Sequence, residues 1–327
     1  FVNDTANGLG TDTVTGVETL SFNGTNFALA GIQQNHLSNL DGNLFDDVML
    51  QRSSGQVSYV DMDGSAGTGG LKTLLGTLPT GWKAVGSADF TGDGRAEAVI
   101  QNTNNGAIYH YGSAGWGTVN ANITSDWVVK GVGDFTGDGT ADVLIRSQST
   151  GYVMYAEMDG PNFGAWANAV NLGTGWATIG VGDFDKDGLS DILVQNTTSG
   201  ITYYANMDGG ALAGWGFVAG GLGTTWVAKE AVDLTGDGYT DVVFQNASTG
   251  QIWYVDMAGG ANDHWGVIAT VPGWDVVGSG DYDNDGYGDV LVRNPANGTV
   301  YYADMDAGVF QGWKTVVNAP GSDWIVT

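Results

Sequence analysis

One pattern of oxygen-bearing residues recurs along the chain: Asp or Asn at positions one and five, Asp or Thr at three, Gly at six, and Asp or Glu at nine. Two copies carry four acids each: Asp183, Asp185, Asp187, Asp191 and Asp281, Asp283, Asp285, Asp289. Three copies put threonine third: Asp89, Thr91, Asp93, Glu97; Asp134, Thr136, Asp138, Asp142; and Asp233, Thr235, Asp237, Asp241. The earliest copy, Asn39, Asp41, Asn43, Asp47, has Leu44 in place of the glycine. Side chains at alternate positions converge on one point if the loop coils. A main-chain carbonyl at position seven (Phe45, Arg95, Thr140, Leu189, Tyr239, Tyr287) and the ninth carboxylate can then close the shell. Hard oxygen ligands in that number, without His or Cys, select Ca²⁺, whereas Mg²⁺ prefers to keep its own waters. Glycine at position six permits the positive φ that folds the loop back on an ion. Five strong Ca²⁺ sites and a sixth, weaker one are expected.

Nineteen of the 36 acids stand at these positions, so the net charge of −26 is concentrated in clusters. Two like unit charges 4 Å apart repel by roughly 4 kcal/mol at an effective dielectric near 20, so such a cluster calls for a cation or a shifted pKa. The same balance opposes nucleic acid, whose phosphates require Lys and Arg, of which there are 10. No cysteine is present, which removes zinc ribbons, thiol nucleophiles and disulfide scaffolds. No apolar run approaches a membrane span, and no secretory leader is visible at Phe1. The loop start is similar to an EF-hand loop, but position nine runs straight into an apolar stretch, with no helix after it.

The elements that must hold these loops repeat with them. The copies begin at 39, 89, 134, 183, 233 and 281, intervals of 45–50 residues. A Trp opens a short apolar stretch before each of five loops (Trp82, Trp127, Trp176, Trp226, Trp274). An apolar run, a turn ending in Gly, an aromatic run and a stretch headed by another Trp (Trp116, Trp166, Trp215, Trp265, Trp313) follow. Runs of three to six Val-, Ile-, Tyr- and Trp-rich residues bounded by Gly, Asn and Asp are strands, four to a unit. Four-stranded units at this spacing are propeller blades, which bury both faces against their neighbours. The chain is therefore expected to be all-β, a seven-bladed β-propeller in one domain over 1–327. Residues 1–26 and 324–327 would form the closing blade, with Phe27 standing in for an opening Trp; six blades is the alternative.

These copies resemble the calcium-binding FG-GAP or VCBS propeller repeats of integrin α-subunits and many secreted bacterial proteins. The likeness covers about 27–327 and rests on Gly-Asp-(Phe/Tyr/Leu)-x-x-Asp-Gly-x-x-Asp-(Val/Ile). It implies Ca²⁺ in the blade loops and an extracellular or cell-surface location; related propellers include lectins whose ligands sit between blades. The segment Gly10–Phe22 is also similar to the stretch that follows RTX repeats in secreted bacterial proteins.

Two roles stay open. A binding or adhesion module would take a cell-surface glycan or protein, with Tyr155, Tyr204, Tyr254 and Tyr302 as candidate ligand-binding rings, beside Tyr59, His110 and the Trp heading each fourth strand. A rigid structural unit of a larger RTX-type or filament-forming protein would instead self-associate. Catalysis is disfavoured: His36, His110 and His264 do not recur in register, no nucleophile elbow or zinc motif occurs, and Asp61, Glu157, Asp256 and Asp304 share one repeat position.

Overall fold

The computed structural model describes residues 19–22, 25–28, 38–43, 45–64, 70–120 and 123–327. It divides into two compact units, Phe1–Asn35 and His36–Thr327. Within the first, Thr19–Phe22 pairs antiparallel with Thr25–Ala28, setting Leu20 opposite Phe27. Most of the RTX-like segment, 10–18, lies outside the described residues.

The second unit is a ring of six four-stranded antiparallel blades, and no helix occurs among the described residues. Blade one pairs Val48–Arg52, Gln56–Val60 and Leu71–Thr77, and its innermost strand is Trp324–Val326 from the far end of the sequence. Blades two to six follow in chain order, their innermost strands being Trp82–Ala88, Trp127–Gly133, Trp176–Gly182, Trp226–Val232 and Asp275–Gly280. The expected count of seven thus gives way to six. The C-terminal strand does open a blade, as its Trp suggests, but that blade is the first repeat's: Trp324 faces Arg52 and fills the place assigned to Phe27.

Second strands are buried along their whole length in three blades, as in Glu97–Asn102, and over all but one residue in the others, because neighbouring blades cover both faces. Their runs are therefore continuously apolar rather than alternating. The core is split into clusters between successive blades, and the one joining Val48, Leu50 and Trp324 to Leu291 and Tyr302 closes the ring. A polar clip recurs in each junction. Gln195 Nε2 donates to Trp226 O (3.1 Å) while its Oε1 accepts from Ala228 N–H (3.2 Å), so one amide satisfies two groups of the next blade. Gln51, Gln101 and Gln245 repeat this; Arg146 and Arg293 supply the donor half alone.

Each innermost strand of blades two to six carries a bulge, followed by Gly86, Gly131, Gly180 and Gly278 in four blades and by Glu230 in the fifth. Desolvation on the inner strand, the largest cause, pushes the Glu230 carboxyl up to about 7, and the charge of Lys229 opposes it. A carboxyl raised by folding is neutral in both states in acid. The folded state loses stability as pH rises through the unfolded value towards 7, and carries a constant penalty above it. Glu230→Gln should therefore raise the urea midpoint at pH 8 by more than it does at pH 4; equal effects at both would refute the assignment.

Candidate functional site

In blades two to six the acidic loop joins the first and second strands, and its first carboxylate organises the turn; in blade one the loop leads into the second strand, the first strand coming from the C-terminus. Asp89 Oδ1 accepts N–H groups from Thr91 (3.1 Å) and Gly92 (2.7 Å), and Oδ2 accepts from Gly94 (2.8 Å). Asp134 and Asp233 do the same, and Asp183 and Asp281 hold the amides of positions five and six. The fifth side chain then caps the seventh N–H, as in Asp93 to Arg95, Asp138 to Thr140, Asp187 to Leu189, Asp237 to Tyr239, Asp285 to Tyr287 and Asn43 to Phe45. The turn is left-handed at position four as well as six: Gly92 and Gly94 have φ of 70° and 82°, and Lys186 and Asn284 take the same conformation at position four.

The ninth carboxylate lies deepest. Asp191 Oδ2 accepts the N–H of Phe184 (3.2 Å), and Oδ1 that of Met207 on the third strand (2.8 Å). Asp47, Asp142, Asp241 and Asp289 bind Met62, Met158, Met257 and Met305 likewise. Burial, the largest cause, pushes Asp47 and Asp142 up to about 7, Asp191 and Asp241 to about 8, and Asp289 to about 9. The pairs of amides oppose this shift but do not cancel it, so each loop holds a carboxylate short of positive charge.

The expected ligand sets come together to different degrees. Carboxylate oxygens of Asp183, Asp185 and Asp191 lie within 4.8 Å of one another, as do those of Asp281, Asp283 and Asp285, of Asp89, Asp93 and Glu97, and of Asp41, Asp47 and Asp61. No such trio forms among the described acids of loops 134–142 and 233–241, where Thr136 and Thr235 replace a third-position acid. The fit to a hard cation rests on orphaned oxygens: Asp185 Oδ1, Asp283 Oδ1 and Thr235 Oγ1 are buried without a hydrogen-bond partner. Unpartnered buried acceptors are costly unless something electropositive meets them. The residues suited to hold an ion are thus those at positions one, three, five and nine, together with the seventh carbonyl.

The candidate tyrosines lie elsewhere. Tyr155, Tyr204, Tyr254 and Tyr302 are 0–4% exposed. The first three donate their hydroxyls to Gly210, Gly260 and Gly308 carbonyls of the next blade at 2.9–3.0 Å, and His110 Nε2 meets Pro161 O at 3.0 Å in the same way. They are inter-blade packing groups, not an open surface. The accessible tryptophans lie on the outer strands, Trp116 (53% exposed), Trp215 (48%) and Trp313 (36%), with Phe217 and Tyr152 as further exposed rings. A groove of about 740 Å³ between blades two and three is lined by Trp116, Phe163, Thr91, Glu97, His110 and Asn162. This junction departs from the rest. Position eight elsewhere donates its N–H to the first-position carbonyl of the preceding loop, as Ser190 does to Asp134 (2.7 Å) and Thr240 to Asp183 (2.8 Å). The corresponding bond from Ala141 to Asp89 is not made.

With this geometry in place, the class is a β-propeller. Residues 134–194 and 183–244 match the FG-GAP-like repeat family, so the middle of the chain consists of FG-GAP-like repeats. No curated protein matches the chain. Among solved structures, it is similar to an Agrocybe aegerita lectin that recognises non-reducing terminal N-acetylglucosamine, with a TM-score of 0.54, 16% identity, and 85% of this chain and 92% of that one covered. A Bacteroides caccae protein of unknown function is similar at a TM-score of 0.47, with 9% identity over 84% of this chain and 96% of that one. At these identities the likeness concerns the fold.

Blade two alone uses Glu at position nine, and the strand residue facing it is Gly112, where a Cβ would come within 2.5 Å of Glu97 Cγ. Gly112→Ala should destabilise the protein by about 1–3 kcal/mol. Adding Glu97→Asp should recover much of that; additive losses in a denaturation double-mutant cycle would show the two positions to be independent.

Proposed function

We propose that this protein is a secreted or surface-exposed Ca²⁺-binding propeller that acts as a binding or adhesion module for glycans. Asp183, Asp185, Asp187 and Asp191, with their counterparts in the other loops and the carbonyls of Arg95, Thr140, Leu189, Tyr239 and Tyr287, would hold the ions. A bound ion supplies the positive charge that the buried ninth carboxylates lack.

The observation that carries the binding role is the groove beside Trp116: a half-exposed indole next to Thr91, Glu97 and Asn162. An aromatic face covers the apolar side of a pyranose ring, and a neighbouring side-chain amide such as that of Asn162 takes its hydroxyls. The fold shared with a lectin is in keeping with this reading. Among the described residues, no helix is long and apolar enough to cross a membrane.

A glycan array probed with labelled protein in millimolar Ca²⁺ tests the proposal. Binding should appear, disappear with EDTA and return when Ca²⁺ is restored. Trp116→Ala should weaken it roughly tenfold or more while leaving the melting temperature within a few degrees. Binding to no glycan, or binding indifferent to Trp116, would contradict it.

A further inference from the structure

Blade one differs from the others in the chemistry of its loop. Asn39 and Asn43 replace acids at positions one and five. Asn43 Oδ1 keeps the turn-capping bond to Phe45 N–H (2.9 Å), but its Nδ2 donates to Asp61 Oδ1 (3.0 Å) and Met62 O (2.8 Å). An amide donor thus stands where the other loops have a second carboxylate oxygen. Three acids converge there, Asp41, Asp47 and Asp61 just past the third strand, with their oxygens within 4.8 Å of one another.

Lys72 faces that trio. It lies on the outer strand Leu71–Thr77, opposite Tyr59. Its ammonium pairs with Asp61, sits 3.6 Å from Asp41 Oδ2, and lies over the Tyr59 ring, 5.7 Å from the centroid. The residues in the same register of blades two to five, Gly117, Ala167, Gly216 and Gly266, carry no charge. In blade six, Lys314 takes that place and pairs with Asp304 at 3.2 Å, but beside a loop of four acids that one ammonium cannot neutralise.

We propose that Lys72 Nζ, and not a metal ion, neutralises the oxygen cluster of blade one; the inference rests on the calcium reading of the other loops. An ammonium offers three donors and one charge, which suits two nearby carboxylates. A Ca²⁺ ion needs six to eight oxygens, and neither Asn43 Nδ2 nor Lys72 Nζ can serve as one. Blade one is also where the C-terminal strand closes the ring. Closure there is held by a cation that cannot be chelated, while the other blades depend on dissolved ions.

Counting bound Ca²⁺ by native mass spectrometry after dialysis against millimolar Ca²⁺ decides the matter. The parent should carry five ions, Asp187→Ala four, and the double variant Asp41→Asn/Asp61→Asn five. Lys72→Gln, which frees the trio, should take up one more than the parent. Six ions in the parent, falling to five in the double variant, would overturn the proposal, as would a folded Lys72→Gln protein that still binds five. A parent that binds none would instead remove the calcium reading of the loops. Should Lys72→Gln fail to fold, the parent and double-variant counts decide alone.

Discussion

The fold depends on how a carboxylate at the base of each acidic loop is satisfied. Position nine is the buried first residue of the second strand in five blades, and its two oxygens reach in different directions. One takes the second N–H of its own loop; the other, in five of the six blades, takes the N–H of a methionine on the third strand or, in blade one, just past it. Loop, second strand and third strand are thereby tied through a single side chain. These bonds favour the charged form, yet desolvation outweighs them, so the carboxyl remains well above its ordinary range. A buried carboxylate that its own amides cannot fully stabilise would be the physical reason for a cation to bind above it.

The loops are not isolated. The first residue of a loop binds its own turn through the side chain and accepts the next loop's position-eight N–H through its carbonyl, as in Asp183 with Thr240 and Asp233 with Gly288. The tyrosine hydroxyls and the glutamine clips join the same pairs of blades at other depths. Whatever fixes one loop therefore also fixes a junction. The pattern relaxes between blades two and three, where Glu97, Gly112 and His110 replace the usual residues, the loop-to-loop bond is missing, and the groove opens. A seam that departs from an otherwise regular ring is where a function distinct from packing has room.

Much of this was legible because the repeat restates itself. An Asp-Gly loop followed by a continuous apolar run gives the loop, the second strand and the all-β blade without reference to any partner. The blade count was less accessible, because it depends on pairing between distant segments: Trp324 and Phe27 both look like strand openers, and only the register with Arg52 decides between them. The tyrosines were ambiguous for a similar reason. An aromatic strand residue reads the same whether it faces solvent or a neighbouring blade, and the glycines that receive the hydroxyls, such as Gly260 for Tyr204, lie 56 residues away. The recurring Gln51, Gln101, Gln195 and Gln245 were visible signals that went unread, as was Glu230 among the glycines of the innermost strands. Each gains meaning only once the carbonyl or neighbouring strand it meets is known.

Ion binding confined to the folded state stabilises each site by about 2.7 kcal/mol at a hundredfold excess over Kd, and five such sites rival the whole stability of a typical domain. Calorimetric melting in millimolar Ca²⁺ and in EDTA at the same pH and ionic strength tests this directly. Removal of Ca²⁺ should lower the melting temperature by roughly 20 °C or more. The same transition in both buffers would contradict the claim that cations hold the loops.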